Sequence, residues 1–218
     1  MNPSAVIFDF DGTIVDTEWP VYEAARVAHE HHGLDLPIEE WVQIVGTADN
    51  KPLDERIRTL LGREPDLDAI ERAKEEHGRV RMSGPALPGV RELIGSTHAA
   101  GRPLGIASSS PMDWVGGHLE RLGLYERFSS FSTRDQVDRG KPAPDLFLLA
   151  AAQLELDPAD MLVIEDSRNG AIAAKAAGMP VVVIPNRVTR HDVPTEADLV
   201  IDSLLDFPYA DFGLPEPG

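Results

Sequence analysis

Cysteine is absent from all 218 residues, which removes disulfide staples, thiolate metal sites and a cysteine nucleophile from consideration. Basic side chains are scarce, with 20 Lys and Arg against 37 Asp and Glu and a formal charge of -17. The mean field of such a chain repels polyanions, so nucleic-acid binding is disfavoured and an anionic ligand needs locally placed positive charge. No window approaches the roughly 18 consecutive apolar residues of a membrane span, and the N-terminus lacks a basic stretch followed by a long apolar one. These absences predict a cytoplasmic protein with neither membrane nor nucleic-acid partners. Aromatics are few, and Trp19, Tyr22 and Trp41 are expected to pack rather than to form a stacking platform for bases. What remains is 42% hydrophobic content, enough for one substantial core with a small second unit beside it.

Short apolar, β-rich runs recur at Ala5 to Phe10, Leu104 to Ala107, Met161 to Ile164 and Val181 to Ile184, with weaker ones at Phe128 to Phe131 and Asp198 to Ile201. Helical patterns separate them, as in Gly89 to Gly101, Pro144 to Leu156 and Arg168 to Gly178. Alternation of this kind predicts an α/β fold, a doubly wound and mostly parallel sheet covered by helices on both sides. Residues 17–85 break the rhythm with helix after helix and no strand; Pro52 opens one run with Leu53, Ile57, Leu60 and Leu61 on one face, and Gly62 ends it. The expected division is a core of residues 1–16 and 86–218 with an inserted helical cap of residues 17–85. Such an insert would sit above the carboxyl ends of the strands, where open α/β sheets bind ligands, as a candidate lid. The stretch from Phe207 to Gly218 is rich in Pro and Gly and reads as a loose terminus.

Chemistry concentrates at the strand ends. The first strand closes in Asp9-Phe10-Asp11-Gly12, two carboxylates on one side of a strand with a glycine that lets the chain turn away. Acids so close cannot both stay ionised unaided; a hard cation such as Mg²⁺, which favours oxygen ligands, removes the conflict. Glu165-Asp166 closes the Met161 to Ile164 strand in the same way, and in a parallel sheet both pairs lie along one edge. Ser108-Ser109-Ser110 gathers hydroxyls and N–H groups at a helix start, suited to an anion. Lys141, stiffened by Pro142 and Pro144, offers a fixed ammonium. The cluster His29, His31 and His32 does not present two histidines on one helix face in the zinc-protease manner, and neither a Gly-x-Ser-x-Gly nor a Gly-Lys-Ser/Thr phosphate loop occurs.

In this order, Asp9-Phe10-Asp11-Gly12-Thr13-Ile14-Val15-Asp16-Thr17-Glu18, Ser108, Lys141-Pro142-Ala143-Pro144-Asp145 and Glu165-Asp166-Ser167 resemble the haloacid dehalogenase superfamily, in its phosphatase and β-phosphoglucomutase-like branch. The resemblance implies a magnesium-dependent phosphohydrolase acting on a small phosphorylated metabolite. Asp9 would be the nucleophile that forms an aspartyl-phosphate, and Asp11 the acid and base. Ser108, Ser109 and Lys141 would hold the phosphate. Mg²⁺ would bind the Asp9 carboxylate, the Asp11 backbone carbonyl and Asp166, with Glu165 in or next to the shell. Dehalogenation needs no second acid, so Asp11 favours phosphate esters. Phosphonate hydrolysis would need a cap lysine that neither Lys51 nor Lys74 matches in position. A phosphosugar mutase is the alternative, against which Val21 stands where that enzyme has a cap-hinge histidine and Asp49 where it has an arginine for a second phosphate. A non-catalytic binding module is the other.

Overall fold

The computed structural model describes residues 1–47 and 51–218, with the side chains of residues 79–82 left aside. Asp49, whose charge argued against a mutase, lies outside the described residues.

Six strands form one parallel sheet in the order β3-β2-β1-β4-β5-β6. They are β1 (Ala5–Phe8), β2 (Leu104–Ala107), β3 (Ser130–Ser132), β4 (Met161–Glu165), β5 (Val181–Val183) and β6 (Leu199–Val200). β1, β2, β4 and β5 are buried throughout, which is why they read as unbroken apolar runs rather than alternating ones. Strand alternation assigns the two faces. Val6 and Phe8 face one layer with α5 (Val90–Ala99) and α6 (Met112–Leu122), while Ala5 and Ile7 face the other with α7 (Asp145–Leu154) and α8 (Arg168–Ala176). This is the α/β, doubly wound arrangement expected from the sequence. The third strand begins two residues later than its aromatic run, at Ser130, because Phe128 turns inward to pack edge-on against Phe8.

Between β1 and α5 the chain forms α1 (Glu18–His31), α2 (Ile38–Trp41), α3 (Leu53–Leu61) and α4 (Leu67–Ser83). Gly62 ends α3 in the left-handed conformation that its C-terminal position requires. These helices bury small clusters of their own, one around Tyr22, Leu36 and Trp41 and one around Ala28, Ile57 and Ile70. Leu60 does not join the apolar face expected of it: it is 56% exposed, and on α3 only Ile57 is fully enclosed. Of the histidine cluster, His32 accepts from the Asp66 N–H and His29 pairs with the Ala25 carbonyl. No helix of the described residues is long and apolar enough to cross a membrane.

The C-terminal stretch overturns the expectation of a loose end. Tyr209–Phe212 forms a helical turn, and Phe207, Tyr209, Phe212 and Leu214 are buried in the core layer beside α5. Stacking of Phe207 on Phe212 and an Arg102 guanidinium bonded to the Phe212 and Gly213 carbonyls fix it there. Aromatic spacing outweighed the Pro and Gly content that suggested disorder.

Candidate active site

Strand register assembles the site. β1 pairs with β4 so that Phe8 lies beside Ile164, and the next residues, Asp9 and Glu165, emerge side by side at the carboxyl edge. This is where the strand order reverses in a doubly wound sheet. The Asp9 N–H is still in the ladder, donating to the Ile164 carbonyl at 2.9 Å, so the side chain is carried on rigid backbone. Gly12 then takes φ 83°, and a Cβ there would strike Asp166 and Asn186, so the chain turns away at a position only glycine fits.

Lys141, from the loop before α7, is fully enclosed between the two strand ends. Its ammonium donates to Asp9 Oδ1 at 2.5 Å and to Glu165 Oε1 at 2.6 Å, over the face of Phe147. Glu165 is occupied on its other oxygen too: Oε2 accepts from the Asp166 N–H, the Ser167 N–H and the Ser167 hydroxyl, each at 3.0 Å. Gly170 leaves the space this carboxylate fills. Asp166 Oδ2 accepts from Asn186 Nδ2 at 2.6 Å.

Asp9, Glu165 and Asp166 each offer an oxygen within 4.8 Å of the others, all of them buried. Three acids against one lysine leave net negative charge in a dry place. Burial pushes the Asp9 carboxyl up to about 7, with Glu165 adding to the effect and Lys141 opposing it. Burial, then the charges of Glu165 and Asp9, hold Asp166 well above the usual carboxylate range. Burial alone would depress the Lys141 ammonium, but Asp9 and Glu165 outweigh it and hold it above normal. An all-oxygen donor set with uncompensated charge fits a hard divalent cation, and because Glu165 is already saturated, Asp9 and Asp166 are the side chains best able to hold one.

The lysine is therefore a structural keystone as well as a charge. Lys141→Met should lower the unfolding free energy of the metal-free protein at pH 8 by about 3–5 kcal/mol, because it strands buried carboxylates without a partner. The loss should shrink at pH 5, where Asp9 can hold a proton. Urea unfolding at the two pH values checks this; a loss under about 1 kcal/mol at pH 8 would contradict it.

Asp11 stands apart from the three-acid group. Its Oδ1 accepts from Thr17 Oγ1 at 2.7 Å and Trp114 Nε1 at 3.0 Å, and its Oδ2 from Ser110 Oγ at 2.5 Å. Ser108 is buried behind it and accepts from the Ser110 N–H at 3.0 Å. The Ser109 hydroxyl is directed elsewhere, donating to the Gly46 carbonyl at 2.9 Å and tying the loop after α2 to the sheet. Asn169 adds a second tie, to the Val45 carbonyl at 2.8 Å. Asp9, Asp11 and the three serines line part of a cavity of about 680 Å³, and residues of α1 to α4 and of the segment between α2 and α3 line the rest. The structure thus brings Asp9, Lys141, Glu165 and Asp166 into one cluster and sets Asp11, Ser108 and Ser109 at the adjoining cavity. Sequence reasoning missed Trp114 and Asn186, which belong to no short motif; Thr17 and Ser110 lie within the segments singled out, but their bonds to Asp11 were not foreseen.

Comparison with known proteins shows what the chain as a whole resembles. The family model described as haloacid dehalogenase-like hydrolase matches residues 3–178. YhcW of Bacillus subtilis, named as a phosphatase, is 39% identical over 211 residues, spanning 93% of this chain and 96% of that protein. The phosphoglycolate phosphatase of Salmonella typhi is 32% identical over 240 residues, spanning 98% and 94%. Among solved structures, CbbY of Rhodobacter sphaeroides in complex with xylulose-1,5-bisphosphate superposes with a TM-score of 0.73 at 29% identity, covering 94% of this chain and 96% of that one.

Proposed function

This chain belongs to the haloacid dehalogenase-like hydrolase family, and from that premise we propose a magnesium-dependent phosphatase that cleaves a small phosphate monoester through an aspartyl-phosphate on Asp9. Phosphatase activity itself follows from the relatives; the ion, the intermediate and the roles below are the reading proposed. The observation that carries it is the division between two carboxylates of one strand end. Asp9 is fixed in the charged cluster by Lys141, while Asp11 is held outside it by neutral donors and lines the cavity. That division supports reading Asp9 as the attacking group and Asp11 as the one that exchanges protons with whatever occupies the cavity.

In the first half-reaction an Asp9 oxygen attacks phosphorus, the ester P–O bond breaks, and Asp11 gives its proton to the departing oxygen. In the second, Asp11 takes a proton from water, the resulting oxygen attacks phosphorus, and the Asp9–phosphorus bond breaks to release inorganic phosphate. Lys141 and Ser108 would hold phosphoryl oxygens, since this chemistry depends on positioning and charge neutralisation more than on bond-making by the protein. Mg²⁺, held by Asp9 and Asp166 with Glu165 beside them, would supply the remaining neutralisation. The helical block of residues 17–85 would act as the cap that shields the reaction from water.

The test is release of inorganic phosphate from a panel of monoesters. β-Glucose 1-phosphate belongs in it, because glucose 6-phosphate as the product would mark a mutase instead. Asp11→Asn should lower kcat by about 10²- to 10⁴-fold, the usual worth of a positioned acid and base. The deficit in kcat/KM, which reports the first half-reaction, should be smallest on p-nitrophenyl phosphate, whose leaving oxygen needs no proton. An undiminished kcat on alkyl phosphates would remove Asp11 from the mechanism.

A further inference from the structure

The cavity is polarised in charge. Asp9, Asp11 and Glu18 lie at its sheet end, whereas Arg56, Lys74 and His77 come from α3 and α4 on the helical wall. Between them the walls are apolar, including Ala24, Ala25 and Val45. Positive charge gathered in a cavity is unexpected in a chain with 20 basic residues against 37 acidic ones, unless something there needs it.

Arg56 is the informative member. Acids of α3, of α4 and of the turn between them pair with other cations: Asp54 and Glu64 with Arg58, Glu55 with Lys51, and Glu71 with Lys74. No ion pair or hydrogen bond to Arg56 occurs among the described residues, and its Nε is buried without a partner. The guanidinium rests instead near the Trp41 ring, 5.8 Å from the centroid, a contact that consumes none of its donors. Closing a neutral ligand into this cavity would desolvate an unpaired guanidinium for no return.

We infer that Arg56, assisted by His77, forms an anion subsite on the helical wall, and that the substrate is a phosphate monoester bearing a second anionic group at its far end. This deepens the phosphatase reading and rests on it. A carboxylate and a second phosphate both suit a guanidinium fork, so the shared chemistry is an oxyanion.

Matched pairs of esters separate the sources. Glycerol 3-phosphate against 3-phosphoglycerate tests a distal carboxylate; fructose 6-phosphate against fructose 1,6-bisphosphate tests a distal phosphate. The doubly anionic member of at least one pair should have a kcat/KM about 10-fold higher or more, with the advantage shrinking as ionic strength rises. Arg56→Gln should cut that ratio by about 10- to 100-fold, chiefly through KM. Arg72→Gln, which removes the same charge from an exposed site on α4 outside the cavity, should leave the ratio intact. Equal or poorer turnover of both doubly anionic esters overturns the subsite while leaving the phosphatase reading in place. So does a ratio unmoved by Arg56→Gln in a variant that melts normally. If that variant fails to fold, a wild-type ratio insensitive to salt overturns the subsite. Absence of turnover on every ester, p-nitrophenyl phosphate included, sinks the phosphatase reading and the subsite with it.

Discussion

Asp9→Asn is expected to abolish phosphate release, lowering kcat by more than about 10⁴-fold, the scale seen when a covalent nucleophile is removed. The substitution keeps the size and shape of the side chain at the end of β1, and its amide oxygen can still accept from Lys141, but it has no carboxylate to attack phosphorus. Loss of fold is not expected. In the native protein Asp9 is enclosed with two other acids, and its pKa of about 7 means that ionising it is costly. The amide carries no such cost, so in metal-free buffer above pH 7 the variant should melt no lower than the parent. Turnover and melting measured on the same preparation check both halves. Near-normal phosphate release would remove Asp9 from the nucleophile's role. Inactivity in a protein that has lost its cooperative melt would show that the carboxylate is needed for the fold instead.

The parts of this site legible in the sequence are those written by local rules. Buried parallel strands must be short apolar runs, and a strand that ends in acids presents them at the sheet edge whatever follows, so Asp9 and the Glu165-Asp166 pair were readable as a facing set. Lys141 and Ser108 were readable as anion-binding groups from their loops, and the resemblance then gave them roles toward a phosphate. What escaped is tertiary. Trp114 reaches Asp11 from 103 positions away, and Asn186 reaches Asp166 from 20, with nothing in either local sequence to announce it. The cavity cations were equally hidden: Lys74 was noted only as a mismatch, and Arg56 reads as one more exposed arginine until the acids near it in sequence are seen to pair with other cations. Leu60 shows the opposite failure, a residue with the right period and no layer to bury it. At the C-terminus the composition of the last residues suggested disorder, yet four apolar anchors found room in the layer beside α5.

Removing divalent ions should eliminate activity, and the same step should expose a pH dependence in stability that the ion conceals. Without the ion, the folded protein keeps a proton on Asp9 up to about pH 7, whereas the unfolded chain releases it near 3.8. Between those values the native state binds more protons, so stability falls as pH rises through that window. Asp166, raised in the same direction, adds to the fall. A divalent ion competes with these protons: it should bind more tightly at pH 7.5 than at pH 5, release protons on binding, and raise Tm more at the higher pH. Excess chelator should therefore bring phosphate release to background and lower Tm most at neutral pH, and Mg²⁺ should restore both while potassium at equal ionic strength restores neither. Activity that survives exhaustive chelation would take the cation out of the mechanism. A Tm gain from Mg²⁺ that is equal at pH 5 and pH 7.5 would place its binding somewhere other than between Asp9 and Asp166, because only a site that must shed protons can tie the ion's effect to that interval.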